Sequence, residues 1–199
     1  MPLTRLMYLS ETLSYIIAIL AITWCLGASE ILKGAFLYPL ALLIAVITGF
    51  ILHELAHRNM ARKYGCFSRF VLDPIGLLLT IVSGLIPVIK IILPGYVFIS
   101  IPYYDPVLTR RIEGITAAVG PLVNIVIAIL SYTVISLFKA PLIVFLILNT
   151  MTVVNAWIAF FNLLPIPPLD GSRVIKWNPV MWGLMFLASI VLLILSGWF

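Results

Sequence analysis

His53, Glu54 and His57 are the residues of this chain whose types and spacing can carry chemistry, since they form an H-E-x-x-H motif. On a helix, residues four apart lie on one face, so the two imidazoles can bind one metal ion. Glu54 is rotated by about 100° from His53, close enough to act as a general base on a water at that ion. Zinc held by two histidines and a carboxylate keeps a position for water and lowers the pKa of that water to about 7. The motif therefore predicts zinc-dependent hydrolysis.

The motif lies at membrane depth. Residues 36–52 carry no charge, and His53 and His57 are the only histidines in the chain. At about 1.5 Å per residue, His53 lies about 25 Å along a helix that starts at residue 36, inside a hydrocarbon core about 30 Å thick. Ionisable residues at this depth are expensive and mark functional sites. The alternative, a chance match on a solvated face, is therefore disfavoured, and the motif is predicted near the cytoplasmic side.

The elements that must position this motif are membrane spans. Of the 199 residues, 63% are hydrophobic and only 10% are charged, which excludes a soluble domain. We predict an all-α polytopic membrane protein, a single domain over 1–199 with about five to six transmembrane helices. The runs long enough to cross are 8–28, 36–57, 115–137, 141–164 and 179–198. Cys25 and Cys66 are predicted to stay unpaired, because one lies in a span and the other in a basic loop.

Basic residues predict the orientation of these spans. They concentrate in the loops after the second span, before the third and after the fourth, whereas the opposite loops hold only Lys33 and Lys139. The first group comprises Arg5, Arg58, Arg62, Lys63, Arg69, Arg110, Arg111, Arg173 and Lys176. By the positive-inside rule these loops and the N-terminus face the cytoplasm, in an integral multi-pass protein of the cell membrane. The dispersed net charge of +5 does not indicate a nucleic-acid surface.

The apolar stretch 74–101 has an unusual predicted shape. Its flanks, Arg69 and Arg110, both lie in cytoplasmic loops, so it must cross the membrane an even number of times. Its length of about 28 residues is too short for two full crossings of about 20 residues each. We therefore expect a re-entrant hairpin that is broken near Gly84–Pro87. The alternative is a straight span, which would invert everything downstream.

A zinc site of this kind needs a third protein ligand. The candidate carboxylates are Glu11, Glu30, Asp73, Asp105, Glu113 and Asp170. Most of them fit interfacial charges, or turn residues that precede a proline. Asp170 differs, because it ends a proline-rich segment that cannot continue a helix and that emerges on the same side as His57. We favour Asp170 as the ligand, with an ordinary Asp-Gly exit turn as the alternative.

These residues together resemble the site-2 protease family of intramembrane zinc metalloproteases. The resemblance rests on His53–His57, on the GPLVN segment Gly120–Asn124, and on Asn162–Gly171, which matches N-x-x-P-x-P-x-L-D-G. It covers roughly residues 36–175 of the chain. A resemblance to this family implies cleavage of a transmembrane substrate near the cytoplasmic leaflet, in regulated intramembrane proteolysis. The implied partners are a transmembrane protein substrate and the lipid bilayer, with no nucleic acid.

The same resemblance implies roles for particular residues. Zn²⁺ would be bound by His53, His57 and Asp170. Glu54 would be the general base, which takes a proton from the attacking water and then passes it to the leaving amine. Asn124 would hold the substrate or stabilise the oxyanion, for which an interhelical hydrogen bond is the equally weighted alternative.

Two further segments carry implied roles. Asn162, like Asn124, would hold the substrate or stabilise the oxyanion, with a packing role slightly favoured. The β-rich run 93–99 would correspond to the family's membrane-associated β-structure, and it could pair with an unwound substrate by strand addition.

Two other functions stay open from the sequence. A non-proteolytic metal-binding scaffold or transporter could use the same ligands, although transport favours polar residues along several helices and the spans here have few. The second alternative is a catalytically inactive relative of the proteases, although Glu54 and all three predicted ligands are present.

Overall fold

The computed structural model describes residues 9–86, 90–103 and 105–197. The elements in chain order are α1 (Glu11–Leu32), α2 (Leu37–Val46), a π-helical turn (Ile47–Ile51), α3 (Leu52–Lys63), β1 (Phe67–Leu72), α4 (Pro74–Ser83), β2 (Gly95–Ser100), α5 (Pro106–Leu137), α6 (Leu142–Asn162), α7 (Gly171–Trp177) and α8 (Pro179–Leu195). Arg5 and Pro87, on which parts of the predictions above fall, lie outside the described residues.

Four continuous helical segments are long and apolar enough to cross a membrane. They are Glu11–Leu32, Leu37–Lys63, Pro106–Leu137 and Leu142–Asn162. Two shorter apolar helices, α4 and α8, accompany them. At 17 residues, α8 reaches the lower limit of about 17 residues for a tilted span. The predicted all-α polytopic membrane fold is thus confirmed, and each of the five predicted runs corresponds to one of these helical segments or to α8.

Several helix starts follow from local residue types. Asp73 accepts a hydrogen bond from the backbone N–H of Gly76 at 2.6 Å, and Asp105 accepts one from Val107 at 2.8 Å. A proline occupies the first turn after each of them. Side-chain oxygens satisfy backbone donors that have no partner in the first turn, and proline is pre-set for that turn. The sequence predicted turn residues at both positions, and the structure shows them as the N-terminal caps of α4 and α5.

The stretch 74–101 is a hairpin and not a straight span. Its two ends meet, because β1 and β2 form an antiparallel pair in which Leu72 lies opposite Gly95. The backbone N–H of Asp73 also donates to Pro94 O at 3.0 Å. The predicted β-rich run is confirmed as β2, whereas its partner β1 was not predicted, since Arg69 made that segment look like a basic loop.

Glu11 connects the sheet to α3, the helix that carries the H-E-x-x-H motif. Its carboxylate pairs with Arg58 of α3 at 3.1 Å and accepts the backbone N–H of Phe70 in β1 at 3.2 Å. Sequence reasoning assigned Glu11 as a simple interfacial charge. It is instead a structural contact that links α1, α3 and β1.

Alanines allow the later helices to pack closely. Ala128 of α5 and Ala156 and Ala159 of α6 are fully buried in one core cluster, which α7 and α8 complete. Small side chains at helix contacts let backbones approach, which favours association within a membrane. Cys25 and Cys66 are both free, as predicted.

Candidate metal centre

The ligand pair of the motif is buried between helices. His53 and His57 lie on α3, directly after the π-helical turn, and their Nε2 atoms face each other at 2.9 Å. Both residues are buried within the protein. The sequence spacing alone predicts this shared face of the helix.

Asp170 completes the group from the other end of the chain. Its Oδ2 lies 3.4 Å from His53 Nε2 and 3.2 Å from His57 Nε2. Three ligand atoms about 2.0–2.2 Å from a tetrahedral zinc are separated by about 3.3–3.6 Å. The two distances to Asp170 are close to these values, whereas the 2.9 Å between the imidazole nitrogens would have to widen by a few tenths of an ångström around such an ion. These three residues are a group that could hold a metal ion.

Hydrogen bonds at the far side of each ring support the same conclusion. His53 Nδ1 lies 2.6 Å from Asn124 Oδ1, and His57 Nδ1 lies 2.6 Å from the carbonyl oxygen of Thr116. Because both oxygens accept, each Nδ1 carries the hydrogen of a neutral imidazole. The two Nε2 lone pairs then converge with a carboxylate oxygen, an arrangement that either a proton or a metal ion between them satisfies.

The segment after α6 folds back to deliver Asp170. A Cβ on Gly171 would lie 2.1 Å from Leu163 O, so only glycine allows the loop to return this close to the end of α6. Burial works against ionisation of Asp170, but when His57 carries a second proton, its positive charge outweighs burial and holds the pKa of this carboxyl well below its usual range. Asp170 therefore supplies an ionised carboxylate as a candidate metal ligand.

Glu54 faces a cavity that also reaches the three candidate ligands. The cavity has a volume of about 570 Å³ and is bounded on one side by β2, on another by α5, and near Asp170 by Pro168 and Leu169. No described residue donates a hydrogen bond to the Glu54 carboxylate. This carboxylate is therefore available to a water or a substrate in the cavity.

Comparisons with known proteins show relatives that are named zinc metalloproteases. A protein of Methanocaldococcus jannaschii named "Putative zinc metalloprotease MJ0611" is 37% identical to this chain over 180 residues, which are 90% of this chain and 91% of that relative. The chain belongs to the zinc metalloprotease family. The Bacillus subtilis protein "Putative zinc metalloprotease YwhC" is 30% identical to this metalloprotease over 70% of its chain and 71% of the relative.

A third relative is similar over a smaller part of its length. "Zinc metalloprotease MJ0392" of M. jannaschii is 29% identical over 68% of this metalloprotease, which spans only 33% of that protein. No family model matches the chain, and no solved structure does. The names of the relatives support proteolysis in general over a metal-binding scaffold or a transporter.

Asn124 of this metalloprotease lies behind His53 and not beside the cavity. It is fully buried, its Oδ1 faces His53, and its Nδ2 donates to Gly49 O at 3.0 Å and to Asn155 Oδ1 at 2.9 Å. Both hydrogens of the amide and one lone pair of its oxygen are used within the protein. This placement favours the interhelical hydrogen bond over a role in substrate or oxyanion binding.

Asn162 does line the cavity. Its Nδ2 donates to Ile158 O of its own helix at 3.0 Å, which leaves its Oδ1 as an acceptor. Both the packing and the substrate interpretation of this residue therefore retain support.

Three contributors to the centre were not assigned from the sequence. The Thr116 carbonyl has no side-chain signal at all. Asn155 is a polar residue at membrane depth, which could have marked it as a partner in an interhelical bond. Gly120 belongs to the GPLVN segment, but its role depends on packing: a Cβ there would lie 2.3 Å from His57 Nε2.

Proposed function

We propose that this chain is an intramembrane zinc endopeptidase of the site-2 protease type, which hydrolyses transmembrane substrate proteins near the cytoplasmic side in regulated intramembrane proteolysis. One observation carries the proposal: the candidate ligands and Glu54 share a cavity with an open strand edge, within a bundle of helices that are long and apolar enough to cross a membrane. The positive-inside rule supports a cytoplasmic N-terminus in the cell membrane.

His53, His57 and Asp170 are the residues that would hold the ion in this proposal. Zinc, when bound, supplies a Lewis acid that polarises the scissile carbonyl and acidifies water. The protein fixes the two rings through Asn124 and Thr116, so that their Nε2 lone pairs stay aimed at one point.

Glu54 is the general base in the proposed reaction. Its carboxylate accepts a proton from the attacking water and then donates that proton to the amine that leaves as the peptide bond breaks. A carboxylate without a protein donor can make both transfers without first breaking a hydrogen bond to the protein.

The substrate would add to β2 as a further strand. The register of β1 and β2 identifies the backbone N–H and C=O groups of β2 that would form hydrogen bonds with it. Opposite residues in an antiparallel pair alternate between those that exchange backbone hydrogen bonds and those whose polar groups point outward. The bond from Asp73 N to Pro94 O sets this alternation. Gly95, Val97 and Ile99 accordingly point their N–H and C=O groups away from β1.

The other edge of the sheet is already covered. In β1, the outward Ser68 O accepts from Arg62 at 2.9 Å, and the outward Phe70 N–H is bonded to Glu11. The outward groups of β2 contact no described residue through a hydrogen bond, and this strand lines the cavity with Glu54. An extended substrate peptide therefore finds its only open edge beside the general base, among the described residues of the sheet.

Replacing Val97 with proline should weaken this docking. Proline removes one outward N–H and leaves the ladder to β1 intact, and it is tolerated where a strand's N–H faces away from its neighbour. We expect kcat/KM to fall about tenfold, mostly through KM, given about 0.5–1.5 kcal/mol per hydrogen bond plus the bulk of the ring. Initial rates over a range of substrate concentrations in proteoliposomes measure this change.

Val97→Thr is the matched control for the proline variant. It keeps the N–H and the β-branched shape, so its KM should stay within about twofold of the unsubstituted protein. Equal KM values for the threonine and proline variants, with equal thermal stability, would argue against strand addition at β2.

The function itself is tested with a single-span reporter protein in liposomes with the purified enzyme. A helical substrate must unwind before its carbonyls can be attacked, so a reporter with a Gly-Pro pair near the cytoplasmic end of its span should be cut there. Mass spectrometry of the fragments locates the cut. A chelator should stop the reaction, and added zinc should restore it.

Two controls make this experiment decisive. A reporter with an all-leucine span should be cut far more slowly, and the Asp170→Ala enzyme should lose zinc and cleavage together. Cleavage confined to soluble, unfolded proteins would leave a metalloprotease but would refute the intramembrane proposal. Zinc binding without cleavage of any reporter would instead favour the metal-binding scaffold.

A further inference from the structure

We propose that Asn155 is a positioning residue of the metal centre, which acts through Asn124 to hold His53 in the tautomer that can bind a metal ion. The inference rests on the proposed metal site and does not depend on the class of substrate. Asn155 lies on α6, 31 residues beyond Asn124, and contacts neither the cavity nor a candidate ligand.

The chain of hydrogen bonds begins at a backbone carbonyl. Asn155 is fully buried, and its amide lies 2.8 Å from Met151 O. A carbonyl oxygen can only accept, so the nitrogen of the Asn155 amide must face it. The Asn155 Oδ1 is thereby turned towards Asn124.

The same logic fixes the amide of Asn124. Two oxygens face one end of it, Asn155 Oδ1 at 2.9 Å and Gly49 O at 3.0 Å, and both can only accept. The end that faces them must therefore be Nδ2, and a flipped amide would set three oxygens against one another. Asn124 Oδ1 is left to face His53 Nδ1 at 2.6 Å.

Gly49 makes room for this arrangement. A Cβ at residue 49 would lie 3.0 Å from Asn155 Oδ1 and 3.2 Å from Ile158 Cδ1. The π-helical turn that contains Gly49 is thus packed directly against the asparagine pair, one turn before the H-E-x-x-H motif.

The consequence for His53 follows from its single ring hydrogen. Because Asn124 presents an acceptor, the neutral imidazole carries its hydrogen on Nδ1 and directs the Nε2 lone pair towards His57 and Asp170. A reversed Asn124 amide would donate to Nδ1 and place the hydrogen on Nε2, where the metal must bind. Asn155 and Gly49 together exclude that reversal.

His57 provides an internal reference within the same site. Its tautomer is set directly by Thr116 O, with no side chain between. Loss of Asn155 should therefore affect the two histidines differently, whereas a general loosening of the helices should affect both.

The experiment uses the full-length protein labelled with ¹⁵N-histidine, whose two imidazoles give a simple spectrum. Zinc affinity is measured by competition with a chromophoric chelator, and the spectrum is recorded with zinc and after its removal. In Asn155→Leu we expect zinc to bind about tenfold more weakly, the lower end of the range for outer partners of a metal ligand. The zinc-free spectrum should show His53 partly as the Nε2–H tautomer and His57 unchanged.

Asn155→Asp should rescue both readouts, because burial favours the neutral acid, whose O–H can donate to Met151 O while its other oxygen still accepts from Asn124 Nδ2. Thr152→Val is the matched control: Thr152 is equally buried on α6, but its hydroxyl donates only to Leu148 O of its own helix. Its zinc affinity and its tautomers should equal those of the unsubstituted protein.

Two results would overturn the proposal. One is a folded Asn155→Leu protein with unaltered zinc affinity and an unaltered His53 tautomer; if the leucine variant does not fold, Asn155→Ala answers the same question. The other is an Asn155→Asp protein as impaired as Asn155→Leu, since the acceptor would then not be what matters. Failure of the reporter to be cut would count against the proposed protease function and would leave both of these readouts unaffected.

Discussion

The Glu54→Gln protein is expected to keep its zinc and to cleave the reporter about 10²–10⁴-fold more slowly, the usual contribution of a general acid–base residue. Glutamine has nearly the same shape as glutamate, but its amide cannot take a proton from water. The three converging ligand atoms come from His53, His57 and Asp170, so zinc content should not change. Metal analysis and cleavage rates on one preparation measure the two quantities together.

Glu30→Gln is the control for the charge change. Glu30 lies at the far end of α1, where it pairs with the exposed Lys33 at 3.1 Å, and it does not line the cavity. Its cleavage rate should be unaltered. If Glu54→Gln retained full activity, the proton transfers would have to be assigned to another group, and the proposed mechanism would fail.

The candidate ligands could be predicted because their signals are local or follow from topology. The i, i+4 spacing of His53 and His57 is a property of any helix, and it holds whatever surrounds that helix. Asp170 was predicted from a long-range argument, in which loop charges and broken helices set the side of the membrane. That argument also required a hairpin at 74–101, and the meeting of Leu72 with Gly95 confirms it.

The residues that orient the ligands could not be predicted in the same way. Thr116 acts through its backbone carbonyl, which every residue possesses. Asn155 depends on how α5 and α6 are rotated against each other, and a helix that is apolar on all sides gives no periodic signal for its rotation. β1 was missed because its strand alternation is short and contains Arg69, whose side chain reaches back to the backbone of Leu9.

Gly120→Ala is expected to weaken zinc binding severely, which is the second large effect. The new Cβ would lie 2.3 Å from His57 Nε2 and 2.8 Å from His53 Cε1, closer than real Cβ contacts come. The rings cannot rotate away, because Asn124 and Thr116 of the same helix hold their Nδ1 atoms. We expect zinc affinity to fall by about 100-fold or more. This is at least the largest effect that is typical of changing a residue hydrogen-bonded to a metal ligand, and cleavage should fall in parallel.

The fold should survive this substitution, which separates it from simple unfolding. Alanine is favoured over glycine inside a helix by about 1 kcal/mol, which partly offsets the local clash. Gly183→Ala on α8 is the matched control, because a Cβ there meets nothing within 4 Å. Circular dichroism and melting curves should stay similar for both variants, while only Gly120→Ala loses zinc. Unaltered zinc affinity in Gly120→Ala would contradict the close approach of the α5 backbone to the imidazoles, on which the geometry of the whole centre depends.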